Sequence, residues 1–291
     1  SENNPSHNRS SCLQTRGEVI DTVFYIVHDL GCSMKVSIIT VCFNSEKTIR
    51  ETIESVLNQT YQNIEYIIID GGSTDSTVDM IREYVPLFGE KIKWISESDK
   101  GLYDAMNKGI RMSSGDIIGI LNSDDIYYNN KVIENVVSKI EKSCADVLYS
   151  DIEFFNEVQG RQVVVRRWIA KTGNVHLGWI PPHPGVFVKR DVYEKFGGYD
   201  INFDIAADYD FLFRIFSDKN LRIVYYNNYT VRMRVGGKST GSLRNIIRGN
   251  MEIYRSLRAM KIPFPGFVIL LRLMKKMNQF LFRSKISEKD K

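Results

Sequence analysis

The sequence predicts an α/β fold, a doubly wound and mostly parallel sheet, followed by a basic helical C-terminal extension. Two observations carry the sheet: apolar β-branched runs alternate with helically spaced apolar residues over about 115 residues, and the runs end in carboxylates. A third carries the extension. The net charge is only +4, yet from Arg232 to Lys291 fifteen Lys and Arg stand against three Asp and Glu, leaving an acidic body. Such asymmetry suits a body that holds cations or polar substrate and a tail that meets an anionic surface.

Residues 36–43 are continuously apolar, the pattern of a parallel strand buried on both faces. In 48–57, Ile49, Ile53, Val56 and Leu57 fall at helical spacing. A second buried strand, 64–69, ends at Asp70-Gly71-Gly72-Ser73, and Asp75-Ser76-Thr77 supplies a cap for a helix near 77–84. Strands are then expected at 92–96, 117–121 and 146–149, with helices at 102–112 and 132–140. Right-handed crossovers follow. Beyond Asp151 the pattern changes to a β excursion over 154–168 and a Gly/Pro/His loop over 173–185. Helices resume at 190–196 and 206–216.

A chain of 291 residues, 43% hydrophobic and 25% charged, has the make-up of a folded protein with one large core. Cys12, Cys32, Cys42 and Cys144 show no zinc-like or redox spacing, which favours a reduced, cytoplasmic chain. No apolar run reaches the roughly 18–20 residues of a membrane span, and no basic-then-apolar leader opens the sequence. Residues 1–33, Ser/Asn-rich at first, are expected to lie outside the native domain, with a short helix over 19–30 as the alternative. The main domain is expected at 34–231, divided into 34–126 and 127–231, with the basic region at 232–291.

In open α/β sheets ligands bind at the carboxyl ends of the strands. Asp70, Asp99, Asp124 and Asp125 all fall there. Lone carboxylates at strand ends are usually turn formers, but a converging group repels itself unless a cation joins it. Mg²⁺ or Mn²⁺ with oxygen ligands satisfies that, and would bridge the diphosphate of a bound nucleotide. A dinucleotide fold is excluded by detail: the first strand ends in Cys42-Phe43-Asn44-Ser45, without a glycine-rich phosphate turn. No nucleic-acid partner is expected.

At this point the sequence resembles a known family. Val36-Ser37-Ile38-Ile39-Thr40-Val41-Cys42-Phe43-Asn44 is similar to the opening strand of glycosyltransferase family 2. So are Ile69-Asp70-Gly71-Gly72-Ser73-Thr74-Asp75, the block Ser98-Asp99-Lys100-Gly101-Leu102-Tyr103-Asp104 continuing through Lys108 to Gly109, and Leu121-Asn122-Ser123-Asp124-Asp125. The resemblance implies a GT-A, Rossmann-like fold and an inverting, non-processive transfer of one sugar from a nucleotide-diphosphate sugar. A UDP-hexose or UDP-N-acetylhexosamine is the expected donor. The acceptor would be a glycan or isoprenoid-linked saccharide in cell-surface polysaccharide synthesis. It further implies that Asp70 holds the base, Asp125 ligates the metal, and Asp124 meets the ribose or a metal-bound water. Thr40, Phe43, Asn44, Ser73, Asp99, Lys100, Gly101, Asp104, Lys108 and Ser123 would complete the nucleotide-sugar site. Asn122 stands where the family often carries an acid.

In the second half, Ala206-Ala207-Asp208-Tyr209-Asp210 resembles the family stretch that ends in the catalytic carboxylate, with Ala207 in place of the usual Glu. Asp208 is the expected general base, since the attacking hydroxyl must lose a proton. Trp179 and His183 are candidate acceptor contacts, by ring stacking and by a hydroxyl or phosphate bond. Met233-Arg234-Val235-Gly236-Gly237-Lys238-Ser239-Thr240 resembles a flexible segment near the donor diphosphate. Residues 264–282 pair Phe267, Val268, Leu270, Leu271, Met274, Phe280 and Leu281 with Arg272, Lys275, Lys276 and Arg283. That composition suits a helix lying on anionic lipid, at the inner face of the plasma membrane. The alternative is a helix folded against its own domain. A homodimer is compatible with the sequence. Two other classes compete: a non-catalytic sugar-nucleotide or glycan-binding scaffold, and a sugar-phosphate nucleotidyltransferase, which would need a basic glycine-rich loop after the first strand.

Overall fold

The computed structural model describes residues 33–236 and 243–281. The compact unit begins at Lys35; the expected N-terminal extension and the helix at 19–30 lie outside the described residues, apart from Ser33. In chain order the first elements are β1 (Val36–Cys42), α1 (Ile49–Leu57), β2 (Ile64–Asp70), α2 (Thr77–Phe88), β3 (Ile92–Ser96), α3 (Leu102–Met112) and β4 (Ile117–Ile120). Every residue of β1, β2 and β4 is buried, as continuous apolar runs demand. These strands pair in the order β3-β2-β1-β4, all parallel, with Cys42 opposite Asp70 and Asp70 opposite Ser96. Helix α3 lies close on β1: a Cβ at Gly109 would come 2.4 Å from Ile39 Cγ2.

The second half holds β5 (Ile126–Tyr127), α4 (Val132–Ser143), β6 (Val147–Val158), β7 (Arg161–Trp168), β8 (Val186–Lys189), α5 (Arg190–Phe196), α6 (Ala207–Ser217) and β9 (Ile223–Arg234). Two helices follow, α7 (Leu243–Ala259) and α8 (Pro265–Leu281). The sheet continues β4-β8-β6-β9-β5, with β7 on β6. Strand β8 runs antiparallel to both β4 and β6, so the parallel half ends there, and β6 with β9 restores one parallel pair. Sequence pattern did not anticipate β9. Its Asn227 and Asn228 break the apolar run, and the pairing with β6 shifts register on both sides of Asp151. Strand β9 continues to Arg234, past the expected boundary at 232.

Two apolar cores result. One lies on the sheet and includes Ile39, Ile67, Ile118, Val147, Val186, Phe211 and Ile215. The other joins Val175, Ala206, Tyr209, Phe213, Ile253, Leu257 and Val268. Helix α6 therefore serves both, and α7 and α8 complete the second. Among the described residues no helix is long and apolar enough to cross a membrane.

One buried charge ties the amino ends of the strands. Glu65 on β2 accepts from Ser37 Oγ (2.7 Å), Ser114 N (2.7 Å) and Ser114 Oγ (2.7 Å), and pairs with Lys93 at 2.6 Å. Burial raises its pKa, but Lys93, Ser37 and Ser114 outweigh that and hold it at about 2. A carboxyl depressed in the folded state stabilises fully above its unfolded pKa of about 4.3, and the stabilisation disappears as pH falls through the folded value near 2. Glu65→Gln should cost about 2 kcal/mol near neutrality, and its deficit relative to the parent should shrink as pH drops from about 4.3 toward 2. Urea unfolding over that pH range measures both.

Candidate active site

The carboxyl ends of β1, β2 and β3 meet at Asp70, which is fully buried. Its Oδ2 accepts from Ser96 Oγ (2.6 Å), Ser73 N (2.9 Å) and Gly72 N (3.2 Å); its Oδ1 accepts from Ser73 Oγ (2.5 Å) and Cys42 Sγ (3.5 Å). Burial raises the Asp70 pKa, and the Ser73 and Ser96 bonds overcome it and keep the group ionised. Asp70 thus builds the rim, and its own oxygens are taken up. The loop after β1 is zipped to the same turn: Asn44 N donates to Ser73 Oγ (2.8 Å), and Asn44 Oδ1 accepts from Thr74 N (2.9 Å). Ser45 Oγ then lies 2.9 Å from Ser123 Oγ, linking this rim to the loop after β4.

At the rim, Phe43 is 61% exposed and Asp99 is half-buried. Both converge on Gly71, where an added Cβ would sit 2.5 Å from Asp99 Oδ2 and 3.5 Å from Phe43 Cδ2. Asp99 Oδ1 accepts from Gly101 N (2.7 Å), and Asp104 Oδ2 accepts from Lys100 N (3.0 Å) at the start of α3. Lys108 turns back onto Glu97 (2.9 Å) and Ser98 O (3.1 Å). Thr40 lies elsewhere: it is fully buried within β1 and accepts from Tyr66 Oη, so it does not reach the rim.

After β4, Asp125 is fully buried and Asp124 mostly so. Asp125 Oδ2 accepts from Asn122 Nδ2 (3.2 Å) and its Oδ1 from Arg234 N (3.3 Å). Burial raises both carboxyl pKa values; the Asp124 charge lifts Asp125 further, and Arg234 pulls both back. Asn122 Oδ1 is buried without a hydrogen-bond partner. Among the described residues no three His, Cys, Asp or Glu side chains form a metal-ligating group. Two carboxylates and an orphaned amide oxygen nevertheless form a hard, all-oxygen donor set, the kind that binds Mg²⁺ or Mn²⁺ together with substrate phosphates. Of the segment expected near the diphosphate, Met233 and Arg234 end β9, and Lys238 lies outside the described residues. Arg234 Nη2 holds Glu51 (3.1 Å) and Nη1 holds Glu157 (3.2 Å).

Asp208 stands in the first turn of α6. Its Oδ1 accepts from Tyr209 N (2.8 Å) and lies 3.2 Å from Tyr103 Oη, which also reaches Ile205 O at 2.8 Å. Tyr103 belongs to α3, so one residue connects the block at 98–109 to this carboxylate. Glu252 on α7 anchors the turn into α6, accepting from Asp204 N (3.2 Å), Ile205 N (2.9 Å) and Ala206 N (3.0 Å). Asp210 is held by Ser256 Oγ (2.7 Å) and Arg214 Nε (2.9 Å). It is structural.

Residues 37–200 match the model of Glycosyl transferase family 2. The chain belongs to this family. It is 29% identical over 188 residues to a PGL/p-HBAD biosynthesis glycosyltransferase of Mycobacterium bovis, covering 64% of this chain and 71% of that one. With an uncharacterised glycosyltransferase of Mycobacterium tuberculosis it shares 35% identity over 186 residues, 62% of this chain and 68% of the relative. Among solved structures, S. aureus TarS 1–349 in complex with UDP-GlcNAc superposes with a TM-score of 0.62 at 17% identity, covering 88% of this chain and 77% of that one. The mannosyltransferase PcManGT of Pyrobaculum calidifontis, with GDP-Man and Mn²⁺, gives 0.59 at 16%, covering 87% and 72%. The fold is GT-A.

The acceptor candidates of this glycosyltransferase are both engaged. Trp179 packs edge-on to Tyr149 and Phe216, lies against Gly173, and donates from Nε1 to Ala170 O (2.9 Å). It shapes the loop. His183 Nε2 meets Tyr199 Oη at 2.7 Å; burial lowers its pKa while the charge of Asp208 raises it, which places the ring near that carboxylate. Sequence reasoning missed Tyr103 as a link, although it sits inside the quoted block, and it missed Glu252, which nothing local marks. Glu252→Ala should destabilise the enzyme by about 2 kcal/mol, because three amides lose their acceptor, and Glu252→Gln by less. Paired urea unfolding curves test the order.

Proposed function

We propose that this family 2 glycosyltransferase moves a single sugar, with inversion, from a nucleotide-diphosphate sugar to a hydroxyl of a glycan or isoprenoid-linked saccharide in cell-surface polysaccharide synthesis. The observation that carries this reading is the placement of Asp208 against Tyr103, at the start of the helix that opens with the Asp99–Asp104 turn. A candidate base is thereby joined to the candidate donor rim through one side chain. Support for the donor class comes from the UDP-GlcNAc and GDP-Man complexes of the two structural neighbours. A UDP-hexose or UDP-N-acetylhexosamine fits the rim: Phe43 offers a free aromatic face and Asp99 an acceptor for a base N–H, both fixed by the loop that Asp70 orders.

In the transfer, the acceptor hydroxyl attacks the anomeric carbon opposite the diphosphate, and Asp208 takes its proton. Oδ1 of Asp208 is occupied by Tyr209 N and Tyr103; Oδ2 has no hydrogen-bond partner among the described residues and is the atom suited to that task. Asp124, Asp125 and Asn122 would hold a divalent cation, which when bound neutralises charge on the leaving diphosphate. His183, backed by the buried Tyr199, lies in the same neighbourhood and serves to orient the acceptor. The M. bovis relative, named for PGL/p-HBAD biosynthesis, supports a glycoconjugate acceptor.

Asp208→Asn should lower kcat by about 10²–10⁴-fold with donor affinity unchanged; full activity in that variant would overturn the assignment. A thermal-shift screen of UDP-, GDP- and dTDP-sugars should show stabilisation that requires Mn²⁺ or Mg²⁺ and is lost in Asp125→Asn. Gly71→Ala, which drives a methyl group into Asp99, should weaken nucleotide binding about tenfold without changing the apo melting temperature. Calorimetric titration with UDP reads that directly.

A further inference from the structure

The C-terminal helices carry two faces each. On α7 the inner face holds Glu252, Ile253, Ser256 and Leu257, which are buried against the Asp208 helix. Its outer arc, at helical spacing, reads Arg244, Ile247, Met251, Tyr254, Arg255 and Arg258, all exposed. Helix α8 is likewise split, which departs from the single apolar face expected from sequence. Val268 packs in the core, Arg272 turns inward over the Tyr209 ring (5.3 Å), and Lys275 Nζ binds Leu177 O (2.9 Å). Phe267, Leu270, Leu273 and Met274 face outward. The outer arcs adjoin, because Ile247, Met251, Tyr254, Arg255 and Leu273 line one shallow groove of about 360 Å³.

We propose that this α7–α8 face is a docking surface for an anionic lipid bilayer, lying in its interface plane. The argument is charge complementarity around an apolar centre. Exposed Ile, Met, Leu and Phe side chains of this extent are unusual on a surface that meets only water. Arg244, Arg255 and Arg258 flank them and have no carboxylate partner among the described residues, so their charge is available to phosphate headgroups. The same helix presents Glu252 inward to the turn that leads to Asp208, which sets the site close behind the docked face. This inference rests on the lipid-linked acceptor reading for its purpose, but not for its test.

Flotation of the purified chain with phosphatidylglycerol vesicles, and with phosphatidylcholine vesicles as the neutral control, decides it. Binding is expected to the anionic vesicles alone, falling steeply between 50 and about 300 mM salt, over which screening shortens. The pair Met251→Asp with Leu270→Asp, and separately Arg255→Glu with Arg258→Glu, should each reduce bound protein at least tenfold, with melting temperature and donor hydrolysis in free solution unchanged. Absence of binding to anionic vesicles, or binding that both double variants retain, overturns the proposal. So does a dimer in sedimentation that the Met251→Asp, Leu270→Asp variant dissociates, since a second copy then covers the face. Donor turnover without vesicles reports separately on the enzymatic reading.

Discussion

Parallel strands deliver their carboxyl ends to one edge of a sheet, and the loops leaving that edge must be held against solvent and against each other. Here a single buried carboxylate does so. Asp70 draws donors from the ends of β1 and β3 and from its own following turn. Five bonds to an ionised group in a dry setting are worth more than the same bonds in water. The rim residues, exposed Phe43 and half-buried Asp99, are positioned because the residue beneath them is not free to move. A site of this type places its precision in a buried group whose hydrogen bonds hold the surrounding loops.

The carboxylates after β4 show the opposite economy. Asp124 and Asp125 are buried with too few donors, and Asn122 adds an oxygen that has none. Arg234, from the distant strand β9, relieves part of the repulsion through its charge and one backbone N–H. The protein therefore folds with local electrostatic strain at one position and full satisfaction at the neighbouring one. That contrast separates a carboxylate whose bonds are complete from two that keep acceptor capacity in reserve, though all follow strands of the same sheet.

Much of this was legible in the sequence where the physics is local. Strands β1, β2 and β4 are buried on both faces, so their composition announces them, and the carboxylates follow at the strand ends. The family blocks from Val36 to Asp125 place the rim in order. What could not be read depends on partners far along the chain. Ser96 closes on Asp70 across 26 residues, so a residue expected to hold the base also fastens β3 to the loop. Strand β8 enters antiparallel, and half-buried β9 takes its identity from its pairing with β6 and β5. Thr40 looks like a site residue by type and neighbourhood, but packing inside β1 claims it. Glu252 sits as a lone acid in a basic helix, where no local pattern signals that it secures α6.

Helix α6 forms a wall between the two cores, with Phe211 and Ile215 on one side and Tyr209 and Phe213 on the other. A chain emerges from the ribosome amino end first, and domains consolidate as their residues arrive. The sheet core can close once β9 has been made. The far side of α6 must wait for Ile253, Leu257 and finally Val268. During synthesis, then, the sheet core can take shape early, while the carboxylate proposed for proton removal gains its final setting only when the last described helix has come through.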